Sequence, residues 1–207
     1  MAVWICLPTY DERENLEPMV RALGEVIDTQ RDRVLVIDDN SPDGTGELAD
    51  RLAAELVVEI DCDFSHDPAD VPRLIAACAE ADLALGSRYV QGGGTENWGP
   101  LRRAVSIGGS WYARTVLGVA VRDITGGFKC FRRAVLERIG LDSITTRGYA
   151  FQIETTYRAL GAGFRVVEVP ILFADRRAGG SKMSRRIVLE AVWRVPAMRL
   201  RRLPLRP

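Results

Sequence analysis

Several things are scarce in this chain of 207 residues, and each scarcity excludes something. No apolar run reaches the roughly 18 residues that a membrane-crossing helix needs. The start of the sequence shows no signal peptide. The four cysteines, Cys6, Cys62, Cys78 and Cys130, have neither a CxxC pair nor zinc spacing. They read as reduced thiols of a cytoplasmic protein. Formal net charge is zero, so bulk electrostatics implies no nucleic acid. Lysine occurs only as Lys129 and Lys182; the other basic residues are arginine. The single histidine, His66, precedes an Asp-Pro pair, where a helix N-terminal residue is expected rather than a general base. There is no internal repeat and no low-complexity tract. What remains is an ordinary globular composition, and a length that fits one α/β domain with a substantial core.

Within that chain the most informative stretch is Asp61-Cys62-Asp63-Phe64-Ser65-His66-Asp67-Pro68. The residues before it, Leu56 to Ile60, are apolar apart from Glu59 and predict a buried strand. Asp67-Pro68 predicts a helix start. Ligands of open α/β sheets bind at the carboxyl ends of strands. Side chains two apart on a strand share a face, so Asp61 and Asp63 are expected to meet one hard cation, Mg²⁺ or Mn²⁺. A solvated strand-end turn is the plainer alternative.

The rest of the chain alternates strand and helix. Strands are expected at Val3–Leu7 (stopped by Pro8), Val34–Ile37, Leu56–Ile60 and Asp82–Gly86. Helices are expected at Asn15–Ile27, Thr45–Glu55, Pro68–Ala81, Leu101–Leu117, Arg132–Ile139 and Tyr149–Leu160. This order implies a mostly parallel sheet with right-handed crossovers. Gln91–Thr95 is expected to be a mobile glycine loop. Phe164–Phe173 is a strand pair, or one strand bent at Pro170. A basic amphipathic helix, broken or kinked at Pro196, is expected over Ser184–Leu203. It suits an anionic lipid surface and an ordinary packed helix equally. The division is then a domain over 1–183 and a terminal segment over 184–207.

Other motifs carry less. Gly44-Thr45-Gly46-Glu47-Leu48-Ala49 fits a dinucleotide fingerprint, but six residues separate it from its strand, and three of them are acids that would repel a pyrophosphate. Arg88, Arg176, Arg177 and Lys182 lie in loops beside strand ends, where they can pair with phosphate. Trp98, Trp111 and Trp193 are expected mainly as packing, with a membrane-facing side as the alternative.

Six ordered motifs carry a resemblance. They are Pro8-Thr9-Tyr10-Asp11-Glu12-Arg13-Glu14-Asn15-Leu16, Asp38-Asp39-Asn40-Ser41-Pro42-Asp43-Gly44-Thr45-Gly46, Asp61 to Pro68, Gly86-Ser87-Arg88-Tyr89, Thr125-Gly126-Gly127-Phe128 and Gly148-Tyr149-Ala150-Phe151-Gln152-Ile153-Glu154. With them, Val3 to about Lys182 resembles the family-2 glycosyltransferases, and within them the polyprenyl-phosphate (dolichol-phosphate) mannosyltransferases. The resemblance implies a GT-A α/β fold, a mostly parallel twisted sheet with helices on both faces. It implies inverting transfer of mannose from GDP-mannose to a polyprenyl monophosphate, with Mg²⁺ or Mn²⁺. Pro8, Tyr10, Glu12, Ile37 and Asp39 would hold the nucleoside. Asp61, Cys62 and Asp63 would contact the donor, with Asp61 and Asp63 on the metal. Arg88 would serve donor and acceptor phosphates, Arg102 and Ser106 the acceptor phosphate, and Arg176 and Lys182 the diphosphate. It also implies peripheral attachment to a membrane surface at the cytoplasmic face, and allows a membrane-protein partner.

The sequence departs from that family in two places. Cys62 stands where alanine is usual. At Glu55–Leu56 the expected helix meets the next strand with almost no connection, and about thirty family residues, a strand and a helix, have no counterpart. Either the helix before Leu56 is the whole crossover to the far side of the first strand, or an edge strand is lost, with some cost in stability. Two other readings stay open: a UDP-glucose-dependent glucosyltransferase, and a degenerate binder of nucleotide sugars. An NAD-binding oxidoreductase ranks last.

Overall fold

The computed structural model describes residues 2–9, 13–38, 55–146, 148–175 and 185–200. Strand β1 (Val3–Thr9) leads into helix α1 (Arg13–Val26) and strand β2 (Arg33–Asp38). Strand β3 (Leu56–Glu59) follows, then a 3-10 turn (Pro68–Asp70), helix α2 (Val71–Ala77) and strand β4 (Leu83–Ser87). Next come the short β5 (Gly94–Thr95), the long helix α3 (Pro100–Leu117), β6 (Lys129–Arg132) and α4 (Arg133–Ile139). Helix α5 (Gly148–Gly161), β7 (Val166–Pro170), β8 (Leu172–Phe173) and helix α6 (Arg185–Leu200) complete the order. The helix expected over Thr45–Glu55 lies outside the described residues.

Six strands form one sheet in the order β2-β1-β3-β6-β4-β7. β1 is parallel to β2 on one side and to β3 on the other. The chain therefore crosses from β2 to the far side of β1, which answers the question posed by the short junction at Glu55–Leu56. β2 is the terminal strand of the sheet among the described residues. Among the described residues two helices cover one face: Met19 and Leu23 of α1 and Val71 and Leu74 of α2 pack on Ile5, Leu7, Val58 and Phe128. The other face carries α3 to α6, through Ala113, Leu117, Ile153, Val195 and Met198 near Leu85, and Val135, Ile139 and Ala159 near Leu83 and Phe131. Burying each of these side chains larger than alanine contributes about 1.5–3 kcal/mol.

Four expectations are corrected. β1 does not stop at Pro8 but runs to Thr9. β3 pairs with β1 only as far as Cys6, so beyond it a proline's missing N–H disturbs a single neighbour. β6 was not anticipated; it inserts antiparallel between β3 and β4. Its four residues, Lys129-Cys130-Phe131-Arg132, begin and end on a base and carry no local strand signal. The glycine loop is not loose: Gly93 donates to Val90, and β5 pairs with β8. A Cβ on Gly93 would lie 2.4 Å from the Ser87 carbonyl, so only glycine lets this loop fold onto the end of β4. Finally, α6 runs through Pro196 without a break. Proline cannot donate to the carbonyl four residues back. That carbonyl, on Val192, instead accepts the Tyr112 hydroxyl of α3 at 2.8 Å.

Candidate active site

Because β3 and β4 are parallel and β6 runs against them, the ends of β3 and β4 and the start of β6 meet at one sheet edge. The stretch after β3 brings Asp61, the stretch after β4 brings Arg88, and the turn before β6 brings Thr125, Gly126 and Gly127. These residues line a cavity of about 170 Å³. Helix α3 adds Arg102, Val105, Ser106, Gly109, Tyr112 and Ala113 to the lining. They recur three or four residues apart, as one helix face requires. Tyr149 and Ile153 of α5 and Val192 and Val195 of α6 close the opposite wall. The cavity thus has a charged end at the sheet and an apolar body between helices.

The Asp-x-Asp pair is arranged differently from the expectation. β3 ends at Glu59, so Asp61 and Asp63 lie in a turn rather than on a strand face. Asp61 is half exposed, while Asp63 is buried. Asp63 accepts the Ser65 N–H at 2.9 Å, and Phe64 between them has a positive φ of 59°. Cys62 is buried. The Ser65 hydroxyl is buried and has no hydrogen-bond partner among the described residues. Two carboxylates and an orphaned hydroxyl are a hard-oxygen set of the kind that suits Mg²⁺ or Mn²⁺. Among the described residues no group of three or more His, Cys, Asp or Glu side chains converges on a metal-sized point, so a cation here needs oxygens from elsewhere. Substrate phosphates commonly supply them.

His66 lies buried between the rings of Phe128 at 5.1 Å and Phe173 at 4.9 Å. Burial pushes its pKa down, against the raising influence of Asp61, whose Oδ2 is 3.7 Å from Nδ1. That separation is too long for a hydrogen bond. Burial disfavours the charged ring, and its place between two phenylalanine rings is that of a packed side chain at the cavity wall.

Arg88 is nearly buried and held on several sides. Its Nε and Nη2 donate to the two oxygens of Asp123 at 2.7 and 2.6 Å. Tyr89, Trp98 and Phe173 present ring faces at 5.1, 5.7 and 5.3 Å from its guanidinium carbon. Burial lowers its pKa, but the hydrogen bonds and charge of Asp123 outweigh that, and the net shift is upward. Arg102 pairs with Asp175 at 2.8 Å and stacks on Trp98 at 4.1 Å. Ser106 accepts a 2.6 Å hydrogen bond from Tyr89.

Of the expected site residues, the structure gathers Asp61, Arg88, Arg102 and Ser106 into one cavity, with Cys62 and Asp63 beside it. Pro8 and Ile37 stand side by side in register near the ends of β1 and β2. Tyr10, Glu12, Asp39, Arg176 and Lys182 lie outside the described residues. Sequence reasoning missed Asp123, which lies just ahead of the Thr125-Gly126-Gly127-Phe128 motif. It also took Trp98 as packing or membrane-facing, whereas it lines the cavity; its place just ahead of the Arg102 helix was the available signal.

The fold is that of the GT-A glycosyltransferases. Glucosyl-3-phosphoglycerate synthase from Mycobacterium tuberculosis, solved with Mn²⁺, UDP-glucose and glycerol 3-phosphate, superposes with a TM-score of 0.66 at 18% identity, over 95% of this chain and 79% of that one. The family assignment comes from sequence: the model of "Glycosyl transferase family 2" matches residues 4–56 and 53–140, and the chain belongs to that family. Polyprenol monophosphomannose synthase of Mycolicibacterium smegmatis is 41% identical, over 92% of this chain and 84% of its own length. Undecaprenyl-phosphate mannosyltransferase of Micrococcus luteus is 40% identical, over 93% and 91%. Dolichol-phosphate mannosyltransferase of Pyrococcus furiosus is 31% identical, over 92% and 61%. The family match breaks into two stretches where β3 begins, at the short junction. The M. smegmatis alignment spans 225 positions, more than the 207 residues of this chain, so that relative carries residues with no counterpart here.

Proposed function

We propose that this protein is an inverting, metal-dependent glycosyltransferase that moves mannose from GDP-mannose to a polyprenyl monophosphate. One observation carries the reading: a single cavity joins Asp61, Arg88 and Arg102 at one end to an apolar body formed by Val105, Tyr112, Ile153, Val192 and Val195. A phosphate on an isoprenoid chain has that same division. The relatives named for polyprenol, undecaprenyl and dolichol phosphate support this acceptor class.

The residues fit the chemistry. A phosphate monoester has a second pKa near 6, so the nucleophilic oxygen is already largely deprotonated at neutral pH. No general base is required, and a buried neutral His66 is compatible with that. What the site must do is place two anions in line and neutralise the departing diphosphate. Asp61 and Asp63, with the Ser65 hydroxyl nearby, would hold the cation, whose chemistry there is charge neutralisation. Arg88, Arg102 and Ser106 would receive the acceptor phosphate. Pro8, Tyr10, Glu12, Ile37 and Asp39 would hold the nucleoside, Cys62 would touch the donor, and Arg176 and Lys182 would serve the diphosphate.

The reading includes a peripheral place on a membrane surface at the cytoplasmic face. Beside the cavity, Leu101, Val105, Ile107 and Trp111 of α3 and Trp193 and Leu200 of α6 are exposed. Such an apolar face, with Arg103 on α3 and Arg194 and Arg199 on α6, suits a lipid surface. No described helix is long and apolar enough to cross a membrane.

The test is transfer of labelled mannose from GDP-mannose to polyprenyl phosphate with Mg²⁺ or Mn²⁺, with EDTA, and with Asp63→Ala. Metal-dependent transfer lost in the variant is expected. GDP-mannose binding without transfer would instead identify a degenerate binder, the reading that the short Glu55–Leu56 junction favours.

A further inference from the structure

Asp123 is fully buried, and its carboxylate is saturated by one side chain and its surroundings. Oδ2 accepts the backbone N–H of Arg88 at 2.9 Å and its Nε at 2.7 Å; Oδ1 accepts Nη2 at 2.6 Å and the Thr125 hydroxyl at 3.3 Å. A second N–H of Nη2 reaches Thr125 Oγ1 at 3.2 Å. Guanidinium has five N–H groups in a fixed plane. Three are thus committed, and Nη1 makes no hydrogen bond among the described residues. With ring faces of Tyr89, Trp98 and Phe173 around the group, Nη1 is the nitrogen left for an anion in the cavity that Arg88 lines.

Asp123 is itself anchored. Glu168 of β7 accepts the backbone N–H of Asp123 at 2.9 Å and that of Arg122 at 2.8 Å. It also accepts the hydroxyl of Ser87, the last residue of β4, at 2.7 Å. One carboxylate therefore ties the 122–123 backbone to the strand end from which Arg88 departs.

We infer that Asp123, held by Glu168, is a positioning residue that fixes Arg88 so that Nη1 alone is offered to the acceptor phosphate, and that it cancels the arginine charge while the site is empty. This rests on the acceptor-phosphate role proposed for Arg88. Two consequences with opposite signs follow. Loss of the Asp123 charge leaves Arg88 uncompensated, so anion affinity rises. Loss of the bidentate clamp frees the guanidinium to rotate, so turnover falls. A merely structural role would lower both.

The experiment uses Asp123→Asn in the full chain and has two arms. Calorimetric titration with inorganic phosphate needs neither donor nor lipid; affinity is expected to rise about threefold or more. Mannosyl transfer is expected to show kcat down about 10- to 100-fold with KM for polyprenyl phosphate unchanged or lower. In an Arg88→Ala background, adding Asp123→Asn is expected to deepen the loss by less than about twofold, because the two act as one unit. If Asp123→Asn does not fold, Arg88→Ala/Asp123→Ala, which removes both charges, is compared with Arg88→Ala alone, and Glu168→Gln is expected to lower kcat about 3- to 10-fold. Four results would overturn the inference: phosphate affinity that falls with kcat, no phosphate binding by either protein, kcat within about twofold of the unaltered protein, or full additivity with Arg88→Ala. If the unaltered protein transfers no mannose, the proposed function fails, while the phosphate arm still decides the role of Asp123.

Discussion

Replacing Gln152 by leucine would break a buried relay beneath the cavity. Lys129 is fully buried, and its ammonium donates to the Gln152 carbonyl at 2.8 Å, Gln152 Oε1 at 2.7 Å and the Thr155 hydroxyl at 3.0 Å. The other end of the same amide, Nε2, donates to Glu59 at 2.6 Å. One amide thus serves a buried cation and a largely buried anion, and it joins three elements that lead to the cavity: the strand that precedes Asp61, the start of β6 and the first turns of α5. Three acceptors around three N–H groups favour the charged amine. Burial nevertheless lowers the Lys129 pKa to about 8 and raises that of Glu59.

Leucine keeps the volume and the backbone carbonyl but removes one acceptor from Lys129 and one donor from Glu59. Each buried group left short costs about 1–3 kcal/mol, more when charged. The sum is about 3–5 kcal/mol, the usual range for breaking a buried pair. Against a domain stability of about 5–15 kcal/mol this is a large fraction. For a chain of this size it corresponds to a Tm lower by about 10 °C. The assay is thermal and urea unfolding followed by circular dichroism, with Lys129→Met beside it. The methionine variant removes the buried cation and leaves Glu59 without its counter-charge, so its loss should fall in the same range. A Gln152→Leu loss below about 1 kcal/mol would refute the relay.

Further expectations concern pH and the lipid. Because the folded pKa of Lys129 lies below its ordinary 10.5, the unfolded chain binds more protons between about pH 8 and 10.5. Stability from this group therefore rises with pH across that window, and Lys129→Met should lose the rise. Cys6, which burial pushes up to about 12, acts in the opposite direction above its ordinary 9.0. The difference between unaltered protein and variant in urea midpoints isolates the lysine. A difference that is flat across the window would contradict the assignment. Val105 and Val192 line the cavity yet are 45% and 42% exposed, so Val105→Glu or Val192→Glu should change stability by under about 0.5 kcal/mol. Either should raise KM for polyprenyl phosphate about tenfold while GDP-mannose affinity stays constant, and unchanged KM would remove these walls from the acceptor path.

The short-range features were legible in the chain. Leu16, Met19, Val20 and Leu23 repeat at helical spacing, and α1 turns that face to the sheet. The strand ahead of Asp61, the Asp67 cap that accepts the Ala69 N–H, and the long α3 are encoded within a few residues of where they form. Asp61, Arg88, Arg102 and Ser106, named together from the resemblance, line one cavity. Other features depend on residues far apart in sequence, and only the tertiary structure decided them. Lys129–Arg132 becomes a strand because β3 and β4 flank it, from about seventy and forty-five residues earlier. Asp123 has meaning only once Arg88 is folded against it. Pro196, a helix breaker by local rule, is accommodated because Tyr112 reaches the carbonyl it leaves without a donor. Local sequence fixes what backbone dihedrals and side-chain periodicity prefer; pairing across the fold, where burial and hydrogen-bond satisfaction are settled, made β6, the Arg88 clamp and the α6 wall.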